Sequence, residues 1–169
     1  MTRSAIAAVV LALSLGAAHA EKTFDLLAEP RPAPAFELTA TRGGIVSLSD
    51  FRGQYVLVNF WAVWCTPCRK EMPSMQRSYD RLRGPRFEMV AIHVGPTLEQ
   101  AGRFAEDLGL TFPVLVDEDM RLNDWNVMGL PSTYLVDPEG RIVARAVGER
   151  EWDSPAMMQR LEEMLGSAK

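Results

Sequence analysis

Trp61-Ala62-Val63-Trp64-Cys65-Thr66-Pro67-Cys68-Arg69-Lys70-Glu71-Met72-Pro73 carries the only two cysteines of a 169-residue chain, spaced C-x-x-C. A run of apolar, β-prone residues, Tyr55 to Trp61, leads into it, and a helical pattern leaves it. Thiols at i and i+3 on the first turn of a helix have Cα atoms roughly 5–6 Å apart, which is within bridging range. Such a pair can be a redox centre, part of a metal clip or a structural staple.

Helix placement favours the first. Cys65 falls at the helix start, where unpaired N–H groups and the helix dipole stabilise a thiolate. A free thiol ionises near ~8.5, and C-x-x-C sites at helix N-termini bring that down to about 3.5–7.5. Cys68, one turn in, is placed to resolve a mixed disulfide on Cys65. Pro67 presets φ for an early helical position, and Thr66 completes the x-x pair. A structural zinc site needs two more Cys or His ligands, and beyond residue 20 the chain offers only His93. A staple across three residues closes almost no loop and stabilises little.

Outward from this stretch, Phe36-Glu37-Leu38 and Ile45-Val46-Ser47-Leu48 flank Gly43-Gly44 and read as a hairpin. Ser49 to Gly53 reads as a turn. Tyr55 to Trp61 has the continuous apolar pattern of a strand covered on both faces. The helix from about Thr66 to Leu82 places Met72, Met75, Tyr79 and Leu82 on one face and contains Pro73, a predicted kink. Phe87 to Val94 and Val114 to Val116 are predicted core strands, with a helix around Leu98 to Leu108 ended by Gly109. Arg121 to Trp125 reads as a short helix or turn. Thr133 to Val136 and Ile142 to Ala146 flank Asp137-Pro138-Glu139-Gly140 and predict an antiparallel edge hairpin. Ser154-Pro155 opens a last helix as N-cap and N1. The order β-α-β-α-β then β-β-α predicts one α/β domain.

The first twenty residues read as a leader: Arg3, an apolar run from Ala5 to Leu15, and an A-x-A site at Ala18-His19-Ala20. The apolar run is shorter than the ~20 residues of a membrane span. Cleavage after Ala20 and export to an oxidising compartment, the periplasm, are expected, an uncleaved anchor being the alternative. The expected division is therefore 1–20 signal peptide, 21–34 proline-rich extended lead, 35–169 folded domain. The whole chain has a net charge of −4. That acidic balance, with no basic run, argues against nucleic acid as a partner. Eight of the methionines lie beyond residue 20, on helix and strand faces, and read as core rather than copper ligands. His93 reads as a buried structural histidine, Trp64 as a shield and contact beside the sulfurs, and Trp61 as core. Trp125 and Trp152 have no assigned role.

Several stretches together resemble a known family. Val46-Ser47-Leu48-Ser49-Asp50-Phe51-Arg52-Gly53, Asn59-Phe60-Trp61, Trp64 to Cys68, Lys70-Glu71-Met72-Pro73, Gly129-Leu130-Pro131-Ser132-Thr133 and Asp137 to Gly140 resemble the TlpA/ResA/CcmG branch of exported thioredoxin-fold thiol–disulfide oxidoreductases, over roughly Ala35 to Leu165. The resemblance implies a thioredoxin-like three-layer α/β fold, a central mixed sheet flanked by helices, with an N-terminal β-hairpin and a central insertion. It implies Cys65 as nucleophile and Cys68 as resolving thiol of a redox-active disulfide, with Trp64, Thr66 and Pro67 as support. It also implies a cis Pro131 beside the cysteines, and substrate pairing along the Leu130-Pro131 backbone. No metal and no cofactor are implied, and the protein is expected to act as a monomer.

Two positions depart from the pattern. Thioredoxin carries a buried acid at the place of Asn59, and some ResA-like members have a glutamate after Val-Gly where this chain has Pro96 after Val94-Gly95. The next acid, Glu99, falls on a helix, so no acid is evident to take the Cys68 proton. The expected function is reduction of client disulfides, in cytochrome c maturation or copper-site assembly, with electrons from a membrane donor of CcdA or DsbD type. A DsbA-like oxidant is the alternative, since Thr66-Pro67 leaves the sign of the potential open. A copper-binding assembly protein of Sco type uses wider cysteine spacing and a partner histidine. A peroxidase wants threonine where Ala62 stands.

Overall fold

Strand β4 (Tyr55–Trp61) is the centre of the molecule. Val56, Leu57, Val58, Phe60 and Trp61 are each at most 2% exposed, because apolar layers cover both sides of the strand. The computed structural model describes residues 23–96 and 98–166, so the leader reading at residues 1–20 lies outside the described residues. Among the described residues no helix is long and apolar enough to cross a membrane.

One mixed sheet contains all eight strands, in the order β1-β8-β7-β4-β5-β6-β2-β3. The elements are β1 (Asp25–Pro32), β2 (Glu37–Ala40), β3 (Ile45–Ser47), β4, β5 (Phe87–Val94), β6 (Val114–Asp117), β7 (Ser132–Val136) and β8 (Arg141–Val147). Helices α1 (Thr66–Leu82), α2 (Leu98–Asp107) and α3 (Pro155–Gly166) complete them, with 3-10 turns at Leu48–Phe51 and Arg121–Trp125. Strands β4, β5 and β6 are parallel, and both crossovers step in the same direction. Crossovers of one hand then put α1 and α2 on one face of the sheet.

That face holds the larger core, where Met72, Met75, Ala101, Ala105, Met157 and Leu161 meet Leu57, Trp61, Met89 and Ala91. The opposite face packs Val58, Phe60, Ile92 and Tyr134 against Leu48 and Trp125, so the 3-10 turns provide its cover. Trp125, 3% exposed, closes this second core with its ring 5.3 Å from that of Phe60. After the last parallel strand, β6, the 3-10 turn at Arg121–Trp125 leads over to the antiparallel hairpin β7–β8. The architecture is the thioredoxin-like α/β fold that the motifs imply.

The β7–β8 hairpin forms as its turn predicts. Gly140 has φ +80°, and a Cβ there would strike the Arg52 guanidinium, while Arg141 donates its backbone N–H to Asp137 Oδ1 at 2.8 Å. The hairpin is not the sheet edge, however, because β1 pairs outside β8. That pairing breaks between Leu26 and Arg31, and most of β1 is exposed. An exposed, proline-bearing edge strand has no alternating pattern to announce it.

Candidate active site

The turn from β4 into α1 delivers the cysteines to the C-terminal end of the central strand. Cys65 is the N-cap of α1, with extended backbone (φ −85°, ψ 100°), and Pro67 follows in the first turn. The tight loop is held by Cys65 N–H donating to Ala62 O at 3.0 Å and Arg69 N–H donating to Cys65 O at 3.1 Å. Cys65 and Cys68 are joined, S–S 2.05 Å, with Cα atoms 5.3 Å apart. The backbone N–H of Cys68 points at Cys65 Sγ, 3.3 Å away. In the reduced protein the same N–H would meet a thiolate, the form that a helix N-terminus favours.

The two sulfurs differ in access. Cys65 is 5% exposed and Cys68 is fully buried, while Trp64 stands 73% exposed beside them. Thr66 and Pro67 are exposed on the first turn. An open groove of about 320 Å³ runs from Trp64 and Cys65 past Val94 to Met120, Met128 and Leu130, and none of its lining residues is charged. The Leu130–Pro131 peptide is cis. Leu130 is half-buried in the groove, whereas Pro131 is buried and its carbonyl accepts the Gly148 N–H at 2.8 Å. A larger cleft of about 710 Å³, lined by Leu26, Tyr55, Asp137 and Arg160 among others, opens at the start of β4. It lies roughly 20 Å, the length of the strand, from the sulfurs.

No acid was evident from the sequence to take the Cys68 proton; the structure places a buried one on the same helix. Glu71, three residues on along α1, is 1% exposed. Residues three apart on a helix share a face, so the carboxyl and the Cys68 thiol point into the same core. Asn59 Nδ2 donates to Glu71 Oε1 at 2.9 Å and to Thr133 Oγ1 at 2.9 Å. Glu71 Oε2 accepts from the Arg150 backbone N–H and from Trp152 Nε1–H, each at 3.1 Å. Burial pushes the Glu71 pKa up to about 7, against the lowering effect of those donors and of the Arg150 charge. A carboxyl with that value exchanges protons at neutral pH.

The signal was present in the spacing. Glu71 is +3 from Cys68 and −4 from Met75, on the apolar stripe of α1, where a charged residue needs a reason. By contrast, Glu99 is exposed and ion-paired with Arg103, away from the sulfurs. Asn59 stands between Glu71 and Thr133 as an orienting amide. Trp152, unassigned from sequence, is fully buried as one of the Glu71 donors.

His93 lies on β5 opposite Trp61, 1% exposed, and its Nε2 accepts the Val63 N–H at 3.1 Å. An accepting Nε2 puts the ring proton on Nδ1. Burial lowers the His93 pKa, with a backbone contact to Gly95 opposing. The ring therefore steadies the residue two before Cys65. Among the described residues no cluster of three or more His, Cys, Asp or Glu is arranged to hold a metal.

A thioredoxin-like sheet carrying a C-x-x-C disulfide at a helix N-terminus, beside a cis-proline turn, defines the class as thiol–disulfide oxidoreductase. Known proteins agree. Residues 30–145 match the AhpC/TSA family. Thiol-disulfide oxidoreductase ResA of Bacillus subtilis is 38% identical over 125 residues, covering 73% of this chain and 70% of that protein. ResA of Geobacillus kaustophilus is 43% identical over 111 residues, covering 65% and 64%. Among solved structures, a candidate thiol:disulfide interchange protein DsbE from Chlorobium tepidum superposes with a TM-score of 0.73 at 32% identity, over 83% of this chain and 99% of that one. The chain belongs to the AhpC/TSA family of thioredoxin-like proteins and, within it, to the thiol–disulfide oxidoreductases of ResA type.

Proposed function

We propose that this protein is exported, with residues 1–20 as its leader and the lead of 21–34 joined to the working domain of 35–169 through β1, and that it reduces disulfides of client proteins in the periplasm. The observation that carries the chemistry is the asymmetry of the pair: Cys65 reaches an open, uncharged groove, and Cys68 is fully buried, three residues along α1 from the equally buried Glu71. Cys65 thiolate attacks one sulfur of a client disulfide, forming a mixed disulfide and releasing the other client sulfur as thiolate. Cys68 then gives up its proton and attacks Cys65 Sγ. The Cys65–Cys68 disulfide forms, the client leaves with both sulfurs as thiolates, which take up protons from water, and two electrons have passed to it.

Glu71 is the acceptor of the Cys68 proton, oriented by Asn59, Trp152 and the Arg150 backbone. An extended client segment adds along the Leu130-Pro131 backbone as a strand. Trp64 and the methionines of the groove hold its apolar side chains, and Thr66 and Pro67 shape the rim. A membrane donor of CcdA or DsbD type restores the dithiol, because an oxidising compartment would otherwise leave the pair oxidised. Clients in cytochrome c maturation or copper-site assembly fit this chemistry, as proteins whose cysteines must be free to take haem or metal.

The test is capture. Cys68→Ala leaves Cys65 able to attack and removes the thiol that releases the client. Exported C68A protein is expected to accumulate client mixed disulfides that dithiothreitol dissolves and that Cys65→Ala/Cys68→Ala lacks. Recovery of none would count against the redox reading. A reduction potential near −180 mV or higher against glutathione would reverse the direction of electron flow.

A further inference from the structure

The loop after β8 straps α1 residue by residue. Glu149, Glu151 and Asp153 pair outward with Lys70 and Arg77, while Arg150 and Trp152 turn inward. Besides holding Glu71, Trp152 donates its backbone N–H to Ser74 Oγ at 3.0 Å. Two residues from the far end of the chain complete this arrangement. The ring of Phe24, 7% exposed, stands edge-on to the Trp152 indole with centroids 5.3 Å apart. The carbonyl of Thr23 accepts from Arg150 Nε at 3.2 Å. The Arg150 guanidinium also donates to Gly148 O and Glu149 O at 3.1 and 3.0 Å, which turns it away from the carboxyl that its own backbone N–H holds.

We propose that Thr23 and Phe24 are positioning residues of the redox centre: they seal Trp152 and Arg150 over Glu71 and keep that carboxyl dry. The role rests on reading Glu71 as the proton acceptor of Cys68. Every group around the carboxyl points the same way. Asn59 on β4 and Thr133 on β7 are uncharged, Cys68 on α1 is in the disulfide, and among the described residues Arg150 is the charged group acting on it. Lys70 and Glu149 form an exposed pair outside the cage. Water is therefore the variable, and Phe24 is what stands between it and the indole. Thr23 and Phe24, the residues that lead into β1, act on the chemistry at Cys68 through two contacts, not only on the stability of the sheet.

In the oxidised protein neither cysteine titrates, so the Glu71 carboxyl can be followed alone by 13C shift from pH 4 to 9, assigned by its loss in Glu71→Gln. Phe24→Ala is expected to admit water and weaken proton affinity at Glu71 about tenfold, one unit of midpoint. Phe24→Leu should stay within about threefold of wild type, because it keeps an apolar plug. Trp152→Phe should move the midpoint the other way, since it removes a donor that stabilises the carboxylate. Phe24→Val covers the case in which the alanine variant does not fold, with a shift in the same direction and smaller. A Phe24→Ala midpoint unchanged or raised overturns the proposal; where only the valine variant folds, an unchanged midpoint there does so. The readout does not depend on what Glu71 does for Cys68. If Glu71→Gln leaves thiol exchange at full rate, the proton-acceptor reading falls while the positioning result stands.

Discussion

A carboxyl group in an apolar core costs free energy whenever it is charged, and Glu71 shows where that cost goes. The folded protein holds the Glu71 proton up to about pH 7, against an ordinary value of 4.5. Folding therefore takes up a proton between those limits. This contribution favours the fold fully below about 4.5, declines as pH rises through the window and is level above 7. The whole effect is on the order of 3 kcal/mol, since each unit corresponds to about 1.4 kcal/mol. Glu71→Gln removes the ionisation and keeps the volume. Its Nε2 can face Asn59 if that amide turns over, and Asn59 Oδ1 has no hydrogen-bond partner in the present orientation. Urea unfolding of the oxidised proteins at pH 4.5 and pH 8 is expected to show the variant gaining on wild type by roughly that amount at the higher pH. A constant difference across the range would mean that Glu71 ionises as an ordinary carboxyl.

At the scale of elements, legibility followed periodicity. The strand Tyr55–Trp61 and the helix Thr66–Leu82 match their predicted limits, because a doubly buried strand and an amphipathic helix write their environment into consecutive residues. Strand β1 was read only as an extended lead, since its prolines and exposed side chains carry no face. Glu71 was missed because its neighbours were read as a motif rather than placed on the helical stripe. Trp152 sits in a loop, where no period exists to assign it. His93 was legible as buried, but its partner was not, because Val63 is brought to it by the parallel pairing of β4 and β5. That contact joins β5 to the loop before α1 and depends on a neutral ring. His93→Phe removes the acceptor, and an unpaired buried N–H costs about 1–3 kcal/mol. Val63 amide exchange is expected to accelerate by about fivefold or more in that variant. In His93→Gln, whose Oε1 reaches the place of Nε2, it should stay near wild type. Burial holds the pKa of the folded ring below the ordinary value of 6.5, so it is only as the pH falls through that lowered value that protonation turns Nε2 into a donor facing a donor. Wild type should then lose Val63 protection relative to His93→Gln. Equal exchange in all three proteins would leave His93 as filler.

For the whole molecule, the sheet separates two functions at the end of β4. The face toward α1 holds the buried Glu71 cage, and the exposed groove over Cys65 carries no charge at all. The chain is acidic, with a net charge of −4, and an uncharged collar around Cys65 would select clients by apolar contact rather than by long-range attraction. Met128 is 88% exposed and Trp64 73% exposed, more apolar surface than a loop needs for its own packing. Met128→Lys should leave stability within about 0.5 kcal/mol, as surface changes usually do. It should cost a docking client part of a methionine's burial, about 1 kcal/mol, or roughly fivefold in KM. Reduction of an unfolded disulfide protein is compared with reduction of hydroxyethyl disulfide, which is uncharged and too small to span the groove. The variant is expected to slow only the first. If both substrates slow together, Met128 acts on the cysteines themselves, and the client is held elsewhere on the surface.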